Sequence, residues 1–127
     1  MASAQHVILA VTETATSAAL AKDRFVRVAS GSVRESSVSG LPYGVSHGSV
    51  AASTVAENRR VTIDIMGQLS VEATTSGTIA KGALVGVAAS GKARTAIAAK
   101  DYAGIALSTF AAGEVGIINF MPGKLTT

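Results

Sequence analysis

The sequence predicts an all-β protein: a compact β-barrel or β-sandwich built from a tandem pseudo-repeat, with an N-terminal arm. Three observations support this prediction. Apolar residues alternate with polar ones or form short runs, which Gly, Ser or Pro interrupts at intervals of about 8 to 12 residues. Ala, Gly, Ser and Thr make up 63 of the 127 residues, a composition that suits short strands joined by tight turns. The two halves of the chain also repeat one pattern.

Ten strands are predicted from the alternation. The clearest is RVTIDIM, in which Val61, Ile63 and Ile65 face one side of the strand and Thr62 and Asp64 face the other. In chain order the predicted strands are 5–12, 24–29, 32–38, 43–46, 60–66, 69–72, 83–88, 93–98, 104–108 and 115–120, the last of them ended by Met121-Pro122-Gly123.

The repeat is visible when LAKDRFVRVASGSVR, 20–34, is aligned with IAKGALVGVAASGKAR, 79–94. Both segments carry Ala-Lys, an apolar alternation, Ser-Gly and an arginine in that order. The alignment predicts an arm or strand at 1–19, a first copy at 20–70, a connector at 71–78 and a second copy at 79–127, together forming one compact domain. The arm has no equivalent in this duplication.

The segment GVAASGKART, 86–95, comes within one residue of the phosphate-binding loop G-x-x-x-x-G-K-[ST]. Ala93 stands where that loop needs a hydroxyl, and the first copy has Arg27 and Ser32 where it needs its first glycine and its lysine. The segment is therefore predicted to be a β-hairpin, in which Gly91 supplies a positive φ and Lys92 and Arg94 point to solvent.

Composition argues against several classes of function. The 5 aromatic residues offer little surface for stacking sugars or bases, and a net charge of +3 without a charge cluster is unlike a nucleic-acid binder. The chain has no cysteine for a thiolate site. The apolar run 7–11 is too short for a secretory signal or a membrane span. Neither nucleic acid nor membrane is expected as a partner.

No catalytic, cofactor-binding or metal-binding residue is predicted. In the sequence, His6 and His47 have no carboxylate or second histidine at the spacing of a metal site. Ser46 lies in GVSHG, which matches the nucleophile-elbow pattern G-x-S-x-G, but that motif needs the strand-to-helix corner of an α/β sheet. We therefore expect a protein that is not an enzyme and needs no cofactor.

Three segments of the second copy consist of small-residue turn patterns: Lys81–Gly91, the run Gly104-Ile105-Ala106-Leu107 and the run Ala111-Ala112-Gly113-Glu114-Val115. Together they resemble the phage capsid cement or head decoration family. The resemblance implies a non-enzymatic structural protein that binds the outside of an assembled phage capsid and bridges coat subunits to stabilise the head. It also implies a homo-oligomer, with a trimer favoured, the major capsid protein as partner, synthesis in the host cytoplasm and a place on the outer surface of the virion.

The residues expected at the interface with the capsid or a neighbouring subunit come from two places. The arm is too apolar to stay solvated, and we expect residues 2–11 to add as a strand to a sheet edge of a neighbouring subunit or coat protein. Two arginines follow the insertion 49–58, a loop that is a plausible contact element. The candidate interface residues are Gln5, His6, Val7, Ile8, Leu9, Arg59 and Arg60.

Two other functions fit the sequence less well. A β-sandwich or barrel module of a phage tail or fibre, recognising a host-surface ligand, would be expected to show an exposed aromatic cluster. A nucleotide-dependent recombination factor would depend on Lys92 alone.

Overall fold

The computed structural model of the chain describes residues 6–15, 18–29, 31–36, 41–51, 60–75, 77–97 and 101–124. In these residues the chain forms one nine-stranded sheet, which curls into a half-barrel, and a 3₁₀ turn at Ala89–Gly91. The all-β prediction is confirmed. The strands are β1 (His6–Thr14), β2 (Phe25–Ala29), β3 (Ser32–Glu35), β4 (Gly44–Ser46), β5 (Arg60–Glu72), β6 (Leu84–Val87), β7 (Ala93–Thr95), β8 (Asp101–Ala106) and β9 (Val115–Lys124).

Several predicted strand boundaries are wrong, and two of them have a clear physical reason. The predicted strands 60–66 and 69–72 form the single strand β5, because Gly67 adopts a φ of 117° that lets the strand continue through it. β9 continues past Pro122 to Lys124. Proline is tolerated there because the pairing of β9 with β5 ends at Phe120 and the pairing with β8 skips a residue at the same place.

β5 organises the sheet, whose strands lie in the order β3-β2-β4-β5-β9-β8-β6-β7. Asp64 pairs with both Val45 of β4 and Ala10 of β1, and Gly67 pairs with both Phe120 of β9 and Val7 of β1. A residue that pairs with two strands has one on each side. β1 therefore covers one edge of β5, and β4 and β9 share the other.

The position of β1 corrects the expectation that the arm pairs with a neighbouring molecule. His6–Thr14 pairs in antiparallel fashion with β5 of the same chain. The Tyr43 hydroxyl also donates a hydrogen bond of 2.6 Å to Glu13 Oε2 near the end of β1. The thirteen-residue β5 offers backbone donors and acceptors along its whole length. The backbone hydrogen bonds of the arm are therefore formed within the same chain.

The segments that lead into the strands make corresponding contacts in the two halves of the sheet. Leu20 and Val50 exchange backbone hydrogen bonds of 2.8 and 2.7 Å, and Ile79 and Phe110 exchange bonds of 2.9 and 3.0 Å. The first pair lies ahead of β2 and behind β4, and the second lies ahead of β6 and behind β8. The repeat boundaries predicted from the sequence stay a prediction.

Two isolated parallel bridges correspond in the same way. Ala15, which follows β1, bridges Val33 of β3, and Ala73, which follows β5, bridges Ala93 of β7. The C-terminal half of β5 thus occupies the place in the second half of the sheet that β1 occupies in the first half.

The core consists of two clusters of buried aliphatic side chains with a few aromatic ones. The larger cluster spans both halves of the sheet, and in it Phe25 of β2 stacks on Phe120 of β9 with ring centroids 6.4 Å apart. The smaller cluster lies in the first half, around Leu20, Val33 and Ile63. No helix in the described ranges is long and apolar enough to cross a membrane.

Candidate functional site

Ser46 has a structural role at the end of β4. The side chain is buried, its hydroxyl donates to the carbonyl oxygen of Ala21 at 2.5 Å, and it accepts a hydrogen bond from the Arg24 N–H at 3.2 Å. These bonds fix the turn ahead of β2, where Asp23 has a φ of 61°. Burial raises the pKa of the Asp23 carboxyl above its ordinary value. The Ser46 hydroxyl is bonded to backbone groups, which does not fit a nucleophile elbow.

His47 has a carboxylate partner that the sequence did not reveal. Its Nδ1 lies 2.8 Å from Asp64 Oδ2, with the histidine side chain 50% exposed and the aspartate 3% exposed. The strand alternation predicted Asp64 on the side away from Val61 and Ile63. Asp64 is buried because β1 and β4 flank it in the sheet and His47 lies over it. The imidazole gives the buried Asp64 carboxyl group a hydrogen-bond partner. Within the described residues, no three His, Cys, Asp or Glu side chains group as metal ligands would.

The segment 86–95, which comes close to the phosphate-binding loop pattern, is a hairpin, as predicted. β6 and β7 pair through Val85–Thr95, Gly86–Arg94 and Val87–Ala93, and Ser90 and Gly91 have φ values of 60° and 71° in the turn. A Cβ atom at Gly91 would collide with the carbonyl oxygen of Phe25. Position 91 therefore requires glycine for two reasons: the turn packs closely on the start of β2, and the backbone has a positive φ.

The prediction that Lys92 points to solvent is wrong, and Arg94 is only partly exposed. Lys92 Nζ lies 3.4 Å from Glu72 Oε2, and its side chain is 26% exposed. Arg24 Nη2 lies 3.4 Å from the same Glu72 oxygen, and Arg24 Nη1 lies 3.7 Å from Glu35 Oε2. The lysine thus belongs to a polar junction between the two halves of the sheet. Because its ammonium group is paired there, no phosphate ligand is needed to account for it.

The remaining candidate is an exposed apolar surface, which we call the edge patch and define as Ile8, Leu9, Met66 and Met121. These side chains are 70%, 45%, 48% and 45% exposed, respectively. The pairing of β1 with β5 shifts register between Val7 and Leu9 and again between Leu9 and Ala10. Such a bulge changes the alternation of side chains. As a result Ile8 and Leu9 are both exposed although they are consecutive.

The edge patch runs across three neighbouring strands. Leu9 of β1 is the partner of Met66 of β5, so the two side chains lie on the same face of the sheet. Gly67 pairs with Phe120, and Met66 and Met121 are the residues next to that pair on the two strands. Phe120 is buried, so its neighbour Met121 points to the opposite, outer face.

The structure separates the seven predicted interface residues. Ile8 and Leu9 lie in the edge patch, whereas Val7 is partly buried and packs against the larger core cluster. His6 pairs with Gln68 through the backbone, and Arg60 pairs with Thr14 at the far end of β1. Gln5 and Arg59 lie outside the described residues. Residues 6–9 and Arg60 therefore lie at opposite ends of β1 and are not brought together at one site, and their role as an interface stays a prediction.

Sequence reasoning missed Met66 and Met121. Both stand next to a glycine or a proline in strands that were predicted to end near them, and each looks in isolation like an ordinary strand residue. Their juxtaposition depends on the register of β5 against β1 and β9, which no local pattern specifies.

Comparisons with known proteins agree with this fold. A family model described as phage cement protein matches residues 4–120. The structure resembles the crystal structure of the N base of the head fiber gp8.5 of bacteriophage phi29, with a TM-score of 0.71 and 16% sequence identity, over 92% of this chain and 97% of that chain. No curated protein matches the chain.

Proposed function

The chain belongs to the phage cement protein family, and from this membership we propose that it binds the outer surface of an assembled phage head and bridges neighbouring coat subunits. It is a capsid-associated structural protein. The proposal adds three points to this: the major capsid protein is the partner, the edge patch is the contact surface, and the protein acts without turnover.

The edge patch is the observation that carries the proposal. Four large apolar side chains of a small sheet are exposed next to one another, where an apolar contact would remove them from water. Burying apolar surface contributes roughly 25 cal/mol per Å², so even a patch of this size supports a weak contact. The residues of the patch carry no charge. The contact is therefore expected to survive moderate salt.

Weak contacts are sufficient because a shell presents the same site many times. A protein that binds the assembled shell and not the free subunits stabilises the shell by mass action, by about 2.7 kcal/mol per site at a hundredfold excess over the dissociation constant. A homotrimer on a threefold position would add avidity through simultaneous contacts. The two halves of the sheet, with their corresponding backbone contacts, offer each chain two similar faces for two coat subunits. Made in the host cytoplasm, the protein joins the virion at its outer surface.

The test compares the rupture temperature of packaged heads with and without the protein, at low and at high salt. We expect the protein to raise the rupture temperature in both conditions. Equal rupture temperatures would exclude a cementing role. Protection that disappears at high salt would show that charged contacts, and not the edge patch, hold the protein on the shell.

A further inference from the structure

A cavity of about 250 Å³ lies beside β2 and β3, away from the edge patch and next to the polar junction of Lys92, with which it shares Glu35. Its walls include the side chains of Arg27, Arg34, Glu35 and Ser36. Two of these are arginines, and the cavity is open to solvent on one side. None of the features described above accounts for it.

The two arginines lie side by side without a counter-charge. Arg27 and Arg34 are direct partners in the pairing of β2 with β3, so their side chains share one face. Like charges at directly opposed positions destabilise a strand pair. Within the described part of the chain, neither guanidinium group forms an ion pair.

The carboxylate in the wall is already engaged. Glu35 Oε2 accepts a hydrogen bond of 3.2 Å from the Ala21 N–H and lies 3.7 Å from Arg24 Nη1. Arg24 and Lys92 together balance Glu35 and Glu72 in the polar junction. These ion pairs leave the positive charges of Arg27 and Arg34 without a carboxylate to balance them.

Two residues of the same wall each have a buried donor that finds no partner among the described residues. These donors are the Nε of Arg27 and the hydroxyl of Ser36, a residue that is only 3% exposed. A buried donor without an acceptor costs about 1–3 kcal/mol. Two such donors beside an open cavity with two uncompensated arginines indicate a ligand that brings oxygen acceptors and negative charge.

The second half of the sheet has a cavity at the corresponding place. It measures about 160 Å³ and is lined by Arg94 and Thr95 of β7 together with the segment ahead of Ile79. The Nε of Arg94 is also buried, and no partner for it lies in the described part of the chain. Arg94 pairs with Gly86 where Arg34 pairs with Arg27, so this cavity has one arginine instead of two.

We propose that the cavity between Arg27 and Arg34 binds an oxyanion, the carboxylate of an acidic side chain or a phosphate group. The planar guanidinium groups match the paired oxygens of either ligand, and charge-assisted hydrogen bonds of this kind are among the strongest in proteins. Ser36 supplies a further hydroxyl donor. The cavity around Arg94 binds the same chemistry more weakly because it lacks the second arginine. This proposal does not depend on binding to a phage head.

The experiment follows the Nε–Hε resonances of the arginines by NMR while one of two probes is added at constant ionic strength. The probes are inorganic phosphate and N-acetyl-glutamate N-methylamide, a model of an acidic side chain. We expect saturable shifts at Arg27 and Arg34, and weaker ones at Arg94. Saturation by phosphate supports the oxyanion site with free phosphate as its source, and saturation by the glutamate probe alone supports it with a protein carboxylate as its source. Shifts that stay linear with both probes overturn the proposal.

Two variants and a matched control make the assignment specific. Arg34→Lys keeps the charge at an exposed position but loses the planar fork, and it is expected to weaken binding by about tenfold. Ser36→Ala is expected to weaken it severalfold. Arg60→Gln removes an exposed strand arginine elsewhere and is expected to leave the affinity unchanged. An affinity that falls as much in Arg60→Gln as in Arg34→Lys would overturn the site, since nonspecific charge would then explain the binding.

Discussion

Leu9 and Met66 face each other across the pairing of β1 with β5, and each side chain is nearly half exposed, at 45% and 48%. Apolar cross-strand partners normally stabilise a sheet by packing against its core. Here the pair lies on the outer face, because a bulge at Ile8 changes the alternation of β1.

The double substitution Leu9→Ser and Met66→Ser is expected to reduce the affinity for phage heads by about tenfold or more, because roughly half the apolar surface of two large side chains no longer becomes buried on docking. The measurement is cosedimentation of the protein with heads over a range of concentrations. Stability in urea should change little, since both side chains are at the surface.

The matched control for the edge patch is Val28→Ser, which removes an apolar side chain that is 51% exposed on β2. Its affinity for heads is expected to equal that of the original protein. If Val28→Ser and the double variant lose affinity equally, the edge patch is not the contact surface.

His47→Ala is expected to destabilise the fold by about 1–3 kcal/mol, because the buried Asp64 carboxylate loses a hydrogen-bond partner. The free energy of unfolding from urea titration measures the effect. Ser49→Ala, a change at an exposed residue of the same turn region, serves as the control and should be close to neutral. An unchanged free energy in His47→Ala would mean that water replaces the imidazole without cost.

Gly91→Ala and Gly113→Ala form a matched pair at two positive φ values, 71° and 78°. A Cβ at Gly113 has no neighbour within 4 Å, whereas one at Gly91 meets the Phe25 backbone. Backbone strain of about 1 kcal/mol or more is expected in both variants. Gly91→Ala should cost at least about 1 kcal/mol more, because the collision adds to the strain. Equal losses in thermal or urea unfolding would show that the turn yields to the added methyl group.

Asp23→Asn is expected to stabilise the protein at neutral pH. Burial raises the pKa of the Asp23 carboxyl above 3.8, so the folded state holds this proton more tightly than the unfolded state does. Ionisation of Asp23 therefore costs stability above the folded pKa, and this cost disappears as the pH falls through the raised pKa towards 3.8. Asparagine keeps the left-handed backbone conformation accessible. Melting temperatures at pH 7 and pH 3 measure the difference, and a gain that is the same at both would contradict the assignment.

The fold class and the hairpin at 86–95 follow from local patterns in the sequence. Alternation in RVTIDIM and glycine at turn positions are local properties, and the Ser90-Gly91 turn fits a hairpin whatever lies around it. The resemblance of the second copy, from Lys81 to Val115, to the cement family is also local. Its motifs are turn patterns, which can be recognised in a single sequence.

Which side chains meet depends instead on how the strands pair. Asp64 contacts His47 because β4 pairs with β5, Lys92 contacts Glu72 because the β6–β7 turn packs on the start of β2, and Leu9 joins Met66 because a bulge shifts the register of β1. Register is set by the competition of whole strands for backbone partners and buried faces, and a shift of one residue reverses which side chains are exposed. That competition involves residues far apart in the chain, so local patterns in the sequence contain no record of its outcome.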